Sequence, residues 1–410
     1  MHVLFVVPYA PNLIRTRPYN LIRALRRDGH AVTLLTLHSS EAERDGLAAL
    51  RNEGVTVFSE PLSRARSLAN SVAAIPSAGP LQARYCWQPA LARRLAGLLA
   101  PTAERPPVDV VHVEHLRGAR YALHAREIAA HSDIPVVWDS VDCISHLFRQ
   151  AATHSAGRAG RWMTRLELPR TERYEGWLAW QFDAVLTTSA VDRAALAALA
   201  AAHRSGAPPI EVLPNGVDLD YFRPDPSVAR DPNTLVLSGK MSYHANVSMA
   251  VYLVREIMPR VWSRRPEARV VIAGKDPARA VRALAGHPAV TVTGAVGDMR
   301  PHLRGAALAV APITYGAGIQ NKILEAMACG TPVVTTPTAL NALSAVPDRD
   351  LLVGRDAGEL AAAIIALLED SQHRAAVGRA GREYAAQAHD WQTLTRHLVA
   401  IYKNTPPENL

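Results

Sequence analysis

Short runs of β-branched and aliphatic residues, each followed by a longer stretch of helical periodicity, occur in two successive series along this chain. That doubled pattern limits its fold more than any other feature. In the first half, HVLFVVPY leads into PYNLIRALRRDG, where Gly29 can end a helix, and then into AVTLLTL; VTVFSE, VDVVHVE, IPVVWDS and AVLTTS continue to about residue 190. A second set opens after residue 230 with TLVLSG, a helical stretch from about Val247 to Arg264, then ARVVIAG, VTVTG, LAVAPI and TPVVTT. Strand-length apolar runs alternating with amphipathic helices predict parallel α/β sheets. Two complete series predict two Rossmann-like domains. The length of 410 residues agrees, being too great for one ordinary core.

The boundary is expected in AAHRSGAPPIEVLPNGVDLDYFRPDPSVARDP, which is dense in Pro, Gly and Asp. The expected domains are therefore 1–205 and 206–385, with a helix over 386–410, containing TLTRHLVAIYKN, that crosses back to the first domain. One stretch, 151–182, stands apart because it mixes arginines with Trp162, Leu166, Tyr174, Trp177 and Trp180. Two readings stay open for it: a helix face packed on a core, or a basic, tryptophan-bearing helix lying on a membrane surface.

Composition removes several classes. Apolar residues make up 49% and charged residues 20%, the balance of a soluble globular protein, and no stretch approaches bilayer-spanning length. The N-terminus MHVLFVVPYAP lacks a basic leader and a small-residue cleavage site, so it reads as a first strand. Cys86, Cys143 and Cys329 have neither metal nor disulfide spacing. These features predict a cytoplasmic protein. The net charge of +8 comes almost entirely from arginine and reads as a compositional bias. No zinc spacing, RNP-like aromatic motif or long basic run supports nucleic-acid binding.

The chemistry concentrates in APITYGAGIQNKILEAMACGTPVVTT. A strand ends at Pro312, a loop spaced by Gly316 and Gly318 follows, and a helix begins near Gln320. Glycines let backbone approach a ligand, and a helix start offers N–H groups to phosphate oxygens. Lys322 adds a positive charge in the first turn. Glu325, one turn on, can accept hydrogen bonds from two vicinal hydroxyls such as those of a ribose. Alone, the glycine loop could equally be a βα turn serving packing.

LEAMACGTPVVTT and VLPNGVDLDYFRPD (Val212 to Asp225) resemble the GT-B superfamily of retaining glycosyltransferases called family 4. The likeness extends in order through VDVVHVEHL, VVWDSVDCIS, AVLTTSAVDRAAL, LSGKMSYHANVSMA and ARVVIAGKDP, and so covers most of the chain. The GIQNK loop is similar to a subgroup linked to exopolysaccharide assembly and natural-product decoration. The resemblance implies an α/β fold of two Rossmann-like domains facing each other across a cleft. It further implies a nucleoside diphosphate sugar as co-substrate, no separate cofactor, and an acceptor glycan or small molecule. No DxD-like pair stands at a strand end to hold Mg²⁺, which predicts metal independence. Glu325 matches the second glutamate of the family's glutamate–seven residues–glutamate motif, which holds the ribose. The first falls at Ala317, so sugar recognition passes to the backbone of Gly316, Ala317, Gly318 and Ile319 or to other residues. The family's arginine after the glycine at the first C-domain strand end is Lys240 here, following Gly239, and its lysine falls near Ala245. Lys322 is the expected replacement.

In the first domain, His112, Glu114 and His115 stand at a strand end, where open α/β sheets gather ligands. The family commonly has a histidine near the donor sugar here, which points to Glu114 or His115. Asp142 resembles a position facing donor or acceptor, with Asp139 as competitor and helix capping as the bland role for both. Arg15 and Arg17 at the first strand–helix junction suit a phosphate- or carboxylate-bearing acceptor, or else salt bridges in a solvated loop. Asn215 and Gly216 fit an interdomain turn. The competing functions are a GT-B-type epimerase and a nucleotide-sugar-binding protein without transferase activity. A pyridoxal-phosphate phosphorylase is disfavoured by a chain with four lysines, two of them assigned to the donor site.

Overall fold

The first-half runs form a seven-stranded sheet of order β3-β2-β1-β4-β5-β6-β7. Its strands are β1 (His2–Val7), β2 (Ala31–His38), β3 (Thr56–Pro61), β4 (Val110–Glu114), β5 (Val136–Val141), β6 (Ala184–Thr187) and β7 (Ile210–Val212). Every pairing is parallel. The computed structural model describes residues 1–13, 15–100, 106–130, 133–154, 158–315 and 318–405, and no side chain from 151 to 165.

The second-half runs form a six-stranded parallel sheet of order β10-β9-β8-β11-β12-β13. Its members are β8 (Asp231–Ser238), β9 (Arg269–Ala273), β10 (Val290–Gly294), β11 (Ala306–Ala311), β12 (Val333–Thr335) and β13 (Leu352–Val353). In each sheet the winding reverses beside the first strand, between β1 and β4 and between β8 and β11. Such switch points are where parallel sheets bind ligands, at the carboxyl ends of the strands.

The chain divides into one unit of Met1–Pro214 with Trp391–Leu410 and another of Asn215–Asp390. The division therefore falls nine residues beyond the expected 205/206 boundary, because β7 still pairs with β6 in the first sheet. The helix Trp391–Asn404 buries Trp391, Leu394, Leu398, Ile401 and Tyr402 in the core that holds Val3, Phe5, Leu21 and Val110. Each such large apolar side chain contributes about 1.5–3 kcal/mol by leaving water.

The expected Val247–Arg264 helix is three pieces: His244–Tyr252, a π-helical turn over Leu253–Ile257, and Met258–Trp262. Pro259 has no N–H to give the preceding turn, and the widened turn sits just before it.

The unusual tryptophan-bearing stretch is the helix Arg158–Leu178. Its Glu167, Thr171, Glu175 and Leu178 are buried, while Leu166 and Trp177 are exposed. Glu175 accepts from the amides of Ile144 (2.7 Å) and Ser145 (3.0 Å), so it caps the helix Ile144–His154 from a distance. Trp180 donates to the Ala200 carbonyl at 3.0 Å. One face of this helix therefore packs on the unit. The Trp162 side chain lies outside the described residues. Among those residues no helix is long and apolar enough to cross a membrane.

Candidate functional site

In the second unit, the chain leaves β8 through Gly239 at φ 148°, a conformation open to glycine. A Cβ there would lie 2.8 Å from Asn246 Nδ2 and 3.4 Å from Lys322 Cε. Its absence lets those two side chains close on the strand end. Asn246, which sequence reasoning missed, joins them: its Nδ2 donates to the Lys240 carbonyl (3.0 Å) and its Oδ1 accepts from Lys322 Nζ (2.9 Å). Lys322 also reaches Gln320 Oε1 at 3.4 Å. A Cβ on Gly274, at the end of β9, would run into the Gly239 carbonyl, so a second glycine keeps the neighbouring strand end equally tight.

The helix Asn321–Ala328 begins after Gly318 (φ 78°), and Gln320 gives it no side-chain cap. Its first turn carries Lys322 and its second Glu325, both half-buried. Burial raises the Glu325 carboxyl to about 7 and lowers the Lys322 ammonium to about 8, and each charge partly offsets the shift of the other. No residue of the described chain hydrogen-bonds the Glu325 carboxyl. The Ile319 side chain is buried in the core, so only its backbone can face a ligand. Lys240 is exposed. Gly316 and Ala317 lie outside the described residues. Just before them, Tyr315 stacks on His244 (ring centroids 5.5 Å apart, 7° between planes), and their OH and Nδ1 are 2.7 Å apart. That pair ties the exit of β11 to the start of the helix after β8. Neither residue carried a sequence signal, since the contact spans 71 positions.

In the first unit, β4 and β5 end side by side, with Glu114 in register with Asp139. His115 (φ 67°, ψ 156°) and Val141 (φ 68°) leave the two strands at positive φ, a strained backbone for residues that carry a Cβ. The His115 amide donates to the Asp139 carbonyl at 2.6 Å, and its Nδ1 accepts from the Arg117 amide at 3.1 Å. Burial, then the Arg117 charge, push the His115 imidazole down to about 3, so it stays neutral.

Glu114 is buried and accepts one hydrogen bond, from the Tyr9 hydroxyl at 2.9 Å; its Oε2 has no partner among the described residues. Burial, then the charge of Asp139, raise this carboxyl to about 8. Asp139 goes the other way. Burial would raise it, but Arg17 and His112 hold it down to about 2. His112 stacks on Phe5 at 4.2 Å, places Nε2 3.4 Å from Asp139 Oδ2, and shares a 2.8 Å hydrogen bond with the Tyr402 hydroxyl. Burial lowers its pKa. Asp142 is half-buried, accepts from Thr188 Oγ1 at 3.3 Å, and is raised to about 7 by burial and by Asp192.

The two candidate acceptor arginines part company. Arg17 is buried, pairs with Asp139 and donates to the Leu213 and Pro214 carbonyls, so its guanidinium is taken up by the fold. This corrects the acceptor assignment of Arg17, and its alternative too, since the salt bridge is buried at a helix start and not in a solvated loop. Arg15 is 40% exposed; it pairs with Glu43 at 3.3 Å and lies over the Tyr9 ring. Asn215 and Gly216 open the second unit, where His389 Nδ1 lies 2.6 Å from the Asn215 carbonyl. Among the described residues, no group of three or more His, Cys, Asp or Glu is placed to hold a metal ion.

Comparison with known proteins places two domain families on the chain in order. A Glycosyl transferase 4-like domain matches residues 14–216, and a Glycosyl transferases group 1 domain matches residues 232–370. Among curated proteins, a phosphatidyl-myo-inositol mannosyltransferase of Mycolicibacterium smegmatis is 31% identical over 203 residues, 47% of this chain and 51% of that protein. A glycogen synthase of Mycobacterium tuberculosis is 28% identical over 335 residues, 75% of this chain and 71% of that protein. The chain thus spans about half the length of the first of these relatives. Among solved structures, Anabaena HepE in complex with UDP and glucose superposes with a TM-score of 0.66 at 16% identity, covering 98% of this chain and 99% of that one. Sucrose-phosphate synthase from Thermosynechococcus elongatus gives 0.67 at 16% identity, covering 98% of each chain. The fold is GT-B.

Proposed function

We propose, for a chain that joins these two glycosyltransferase domains in a GT-B fold, that it moves a hexose from a nucleoside diphosphate sugar to an acceptor hydroxyl or amine. The proposed transfer retains anomeric configuration and uses no metal ion. The observation that carries this reading is the Glu325 carboxyl, half-buried without a partner among the described residues and one turn beyond Lys322. Vicinal ribose hydroxyls would supply the missing hydrogen bonds and offset the burial of the carboxylate.

The bond between the anomeric carbon and the diphosphate oxygen breaks, the acceptor oxygen or nitrogen bonds to that carbon, and the acceptor's proton leaves with the diphosphate. Negative charge grows on the departing diphosphate. Lys322, held by Asn246, and Lys240 stand with the uncapped helix start to stabilise that charge. In the first unit Glu114 carries its proton at neutral pH, so it serves as a hydrogen-bond donor to a sugar or acceptor hydroxyl and not as a base. Neutral His115 is the neighbouring candidate contact. A cytoplasmic polysaccharide, lipid-linked glycan or small natural product fits as acceptor.

A thermal-shift screen of nucleoside diphosphates and their sugars, followed by an assay of diphosphate release, tests the reading. A stabilising nucleotide whose effect disappears in Glu325→Ala is expected. Equal stabilisation of wild type and variant would reject the ribose role.

A further inference from the structure

We propose that the first unit carries a second ligand site, a pocket for a carboxylate- or phosphate-bearing saccharide, where the charged remainder of the acceptor rests. This rests on the glycosyltransferase reading and names its acceptor class. The pocket encloses about 680 Å³ and is lined by the 77–87 segment, the outer face of the helix Ala119–Ala129 and the helix Arg158–Leu178. Its walls hold three arginines, Arg84, Arg120 and Arg173, and three large aromatic residues, Trp87, Tyr174 and Trp177.

The three guanidinium groups form no ion pair among the described residues, and the carboxylate of Glu127 only partly offsets their charge. Among the described residues Arg84 and Arg120 have no carboxylate hydrogen-bonded or ion-paired to them, and the Arg173 guanidinium donates to the Pro169 carbonyl at 3.4 Å. The pocket's single acid, Glu127, points a 77% exposed side chain toward His124 at 3.5 Å. Burial, then the charge of Arg84, lower the Arg120 pKa, as expected of like charges held together. An anion relieves that repulsion, and guanidinium groups suit carboxylate and phosphate oxygens geometrically.

The Trp87 ring is held between neighbours. The Trp87 carbonyl accepts from Asn70 Nδ2 at 2.8 Å, its ring stacks on Tyr121 at 5.0 Å, and the Arg120 guanidinium lies 4.0 Å from its centroid. Tyr174 and Trp177 stand 5.5 Å apart, and Trp177 keeps 36% of its surface exposed. An exposed indole beside cations is suited to the apolar face of a sugar ring that carries negative groups. A chain of residue contacts runs from the pocket wall to the strand end described above. Arg84 precedes Tyr85, the Arg117 guanidinium lies 5.5 Å over the Tyr85 ring, and the Arg117 amide is held by His115.

Binding of galacturonate trisaccharide, followed by tryptophan fluorescence, tests the site against the same trisaccharide as its methyl esters. Saturable binding of the acid is expected, at least tenfold weaker for the ester, and at least tenfold weaker in R84Q/R120Q and in W177A. The exposed-residue variant R173Q serves where the double variant loses its melting transition. No binding of the acid, equal binding of the ester, or unchanged affinity in R173Q and W177A would overturn the proposal. So would anionic phosphatidylglycerol vesicles that bind wild type and displace nothing from the pocket, with no saccharide response. Thermal shifts with UDP and GDP run in parallel. Nucleotide binding without saccharide binding rejects this pocket alone, and saccharide binding without any nucleotide response rejects the transferase reading alone.

Discussion

Arg17 Nε lies 2.8 Å from Asp139 Oδ2, with both side chains almost wholly buried. An ion pair so placed joins the helix after β1 to the end of β5, and its two charges act on the neighbouring Glu114 and His112. Removing one partner strands the other charge away from water. Arg17→Ala is therefore expected to cost about 3–5 kcal/mol in urea unfolding of the chain, and Asp139→Asn should be comparably damaging. An unchanged midpoint with a weakened acceptor response would restore Arg17 to substrate binding.

Glu114 links stability to pH. Its carboxyl titrates near 8 in the folded chain against an ordinary value of 4.5, so the folded state holds a proton that the unfolded chain releases between those values. Its stabilising contribution is complete below about pH 4.5 and is lost as pH rises through 8. Asp142 and Glu175, both raised to about 7, act in the same sense, whereas Asp139, held near 2, matters only in acid. Below about pH 6.5 the lowered His112 and His115 act in the opposite sense, so the test window lies above it. Urea midpoints should fall from pH 7 to pH 8, and Glu114→Gln should flatten that fall by roughly 1 kcal/mol. A slope identical in wild type and variant would refute the assignment.

Glu325→Ala should weaken nucleoside diphosphate binding by about 1.5–3 kcal/mol, the typical value of a hydrogen bond to a charged group. Because the carboxyl has no partner in the described chain, the melting temperature without ligand should stay within a few degrees of wild type. Calorimetric titration alongside melting separates the two effects.

Asn246 and Lys322 should behave as one unit. Asn246→Ala releases the lysine and the Lys240 carbonyl together, and is expected to weaken diphosphate binding by roughly 1 kcal/mol. Adding it to Lys322→Ala should then cost little more, since both changes remove the same contact. Fully additive losses in the double variant would show that the 2.9 Å bond does not position the lysine.

Metal removal gives a separate check on the transfer step. Activity should survive prolonged treatment with EDTA, with no gain on adding Mg²⁺ or Mn²⁺. Loss in chelator that either ion restores would reject a mechanism based on lysine and helix-terminus charge alone.

The strands were legible because β-branched runs such as VDVVHVE and ARVVIAG lie inside parallel sheets, where both faces are buried and the signal is uninterrupted. The placement of Lys322 and Glu325 on one short helix followed from spacing within a few residues. What stayed hidden depends on partners far apart in sequence. Asn246 meets Lys322 across 76 positions, and Arg17 meets Asp139 across 122, so an arginine that local pattern assigns to solvent or substrate turns out to be internal. The same cause concealed Glu175, whose role is to cap a helix that begins 31 residues earlier. The 205/206 boundary missed by nine residues because the three-residue β7 carries too little periodicity to register as a strand.

The Tyr402–His112 hydrogen bond and the burial of Leu394, Leu398 and Ile401 beside Phe5 have a consequence for how the chain is made. A ribosome delivers the first 214 residues long before the helix that completes their core, and the whole of Asn215–Asp390 emerges in between. The domain begun first is therefore the last one finished. During synthesis its half-built core must wait, with Val3, Phe5 and Leu21 lacking their final cover, while the later domain has all its own residues in hand.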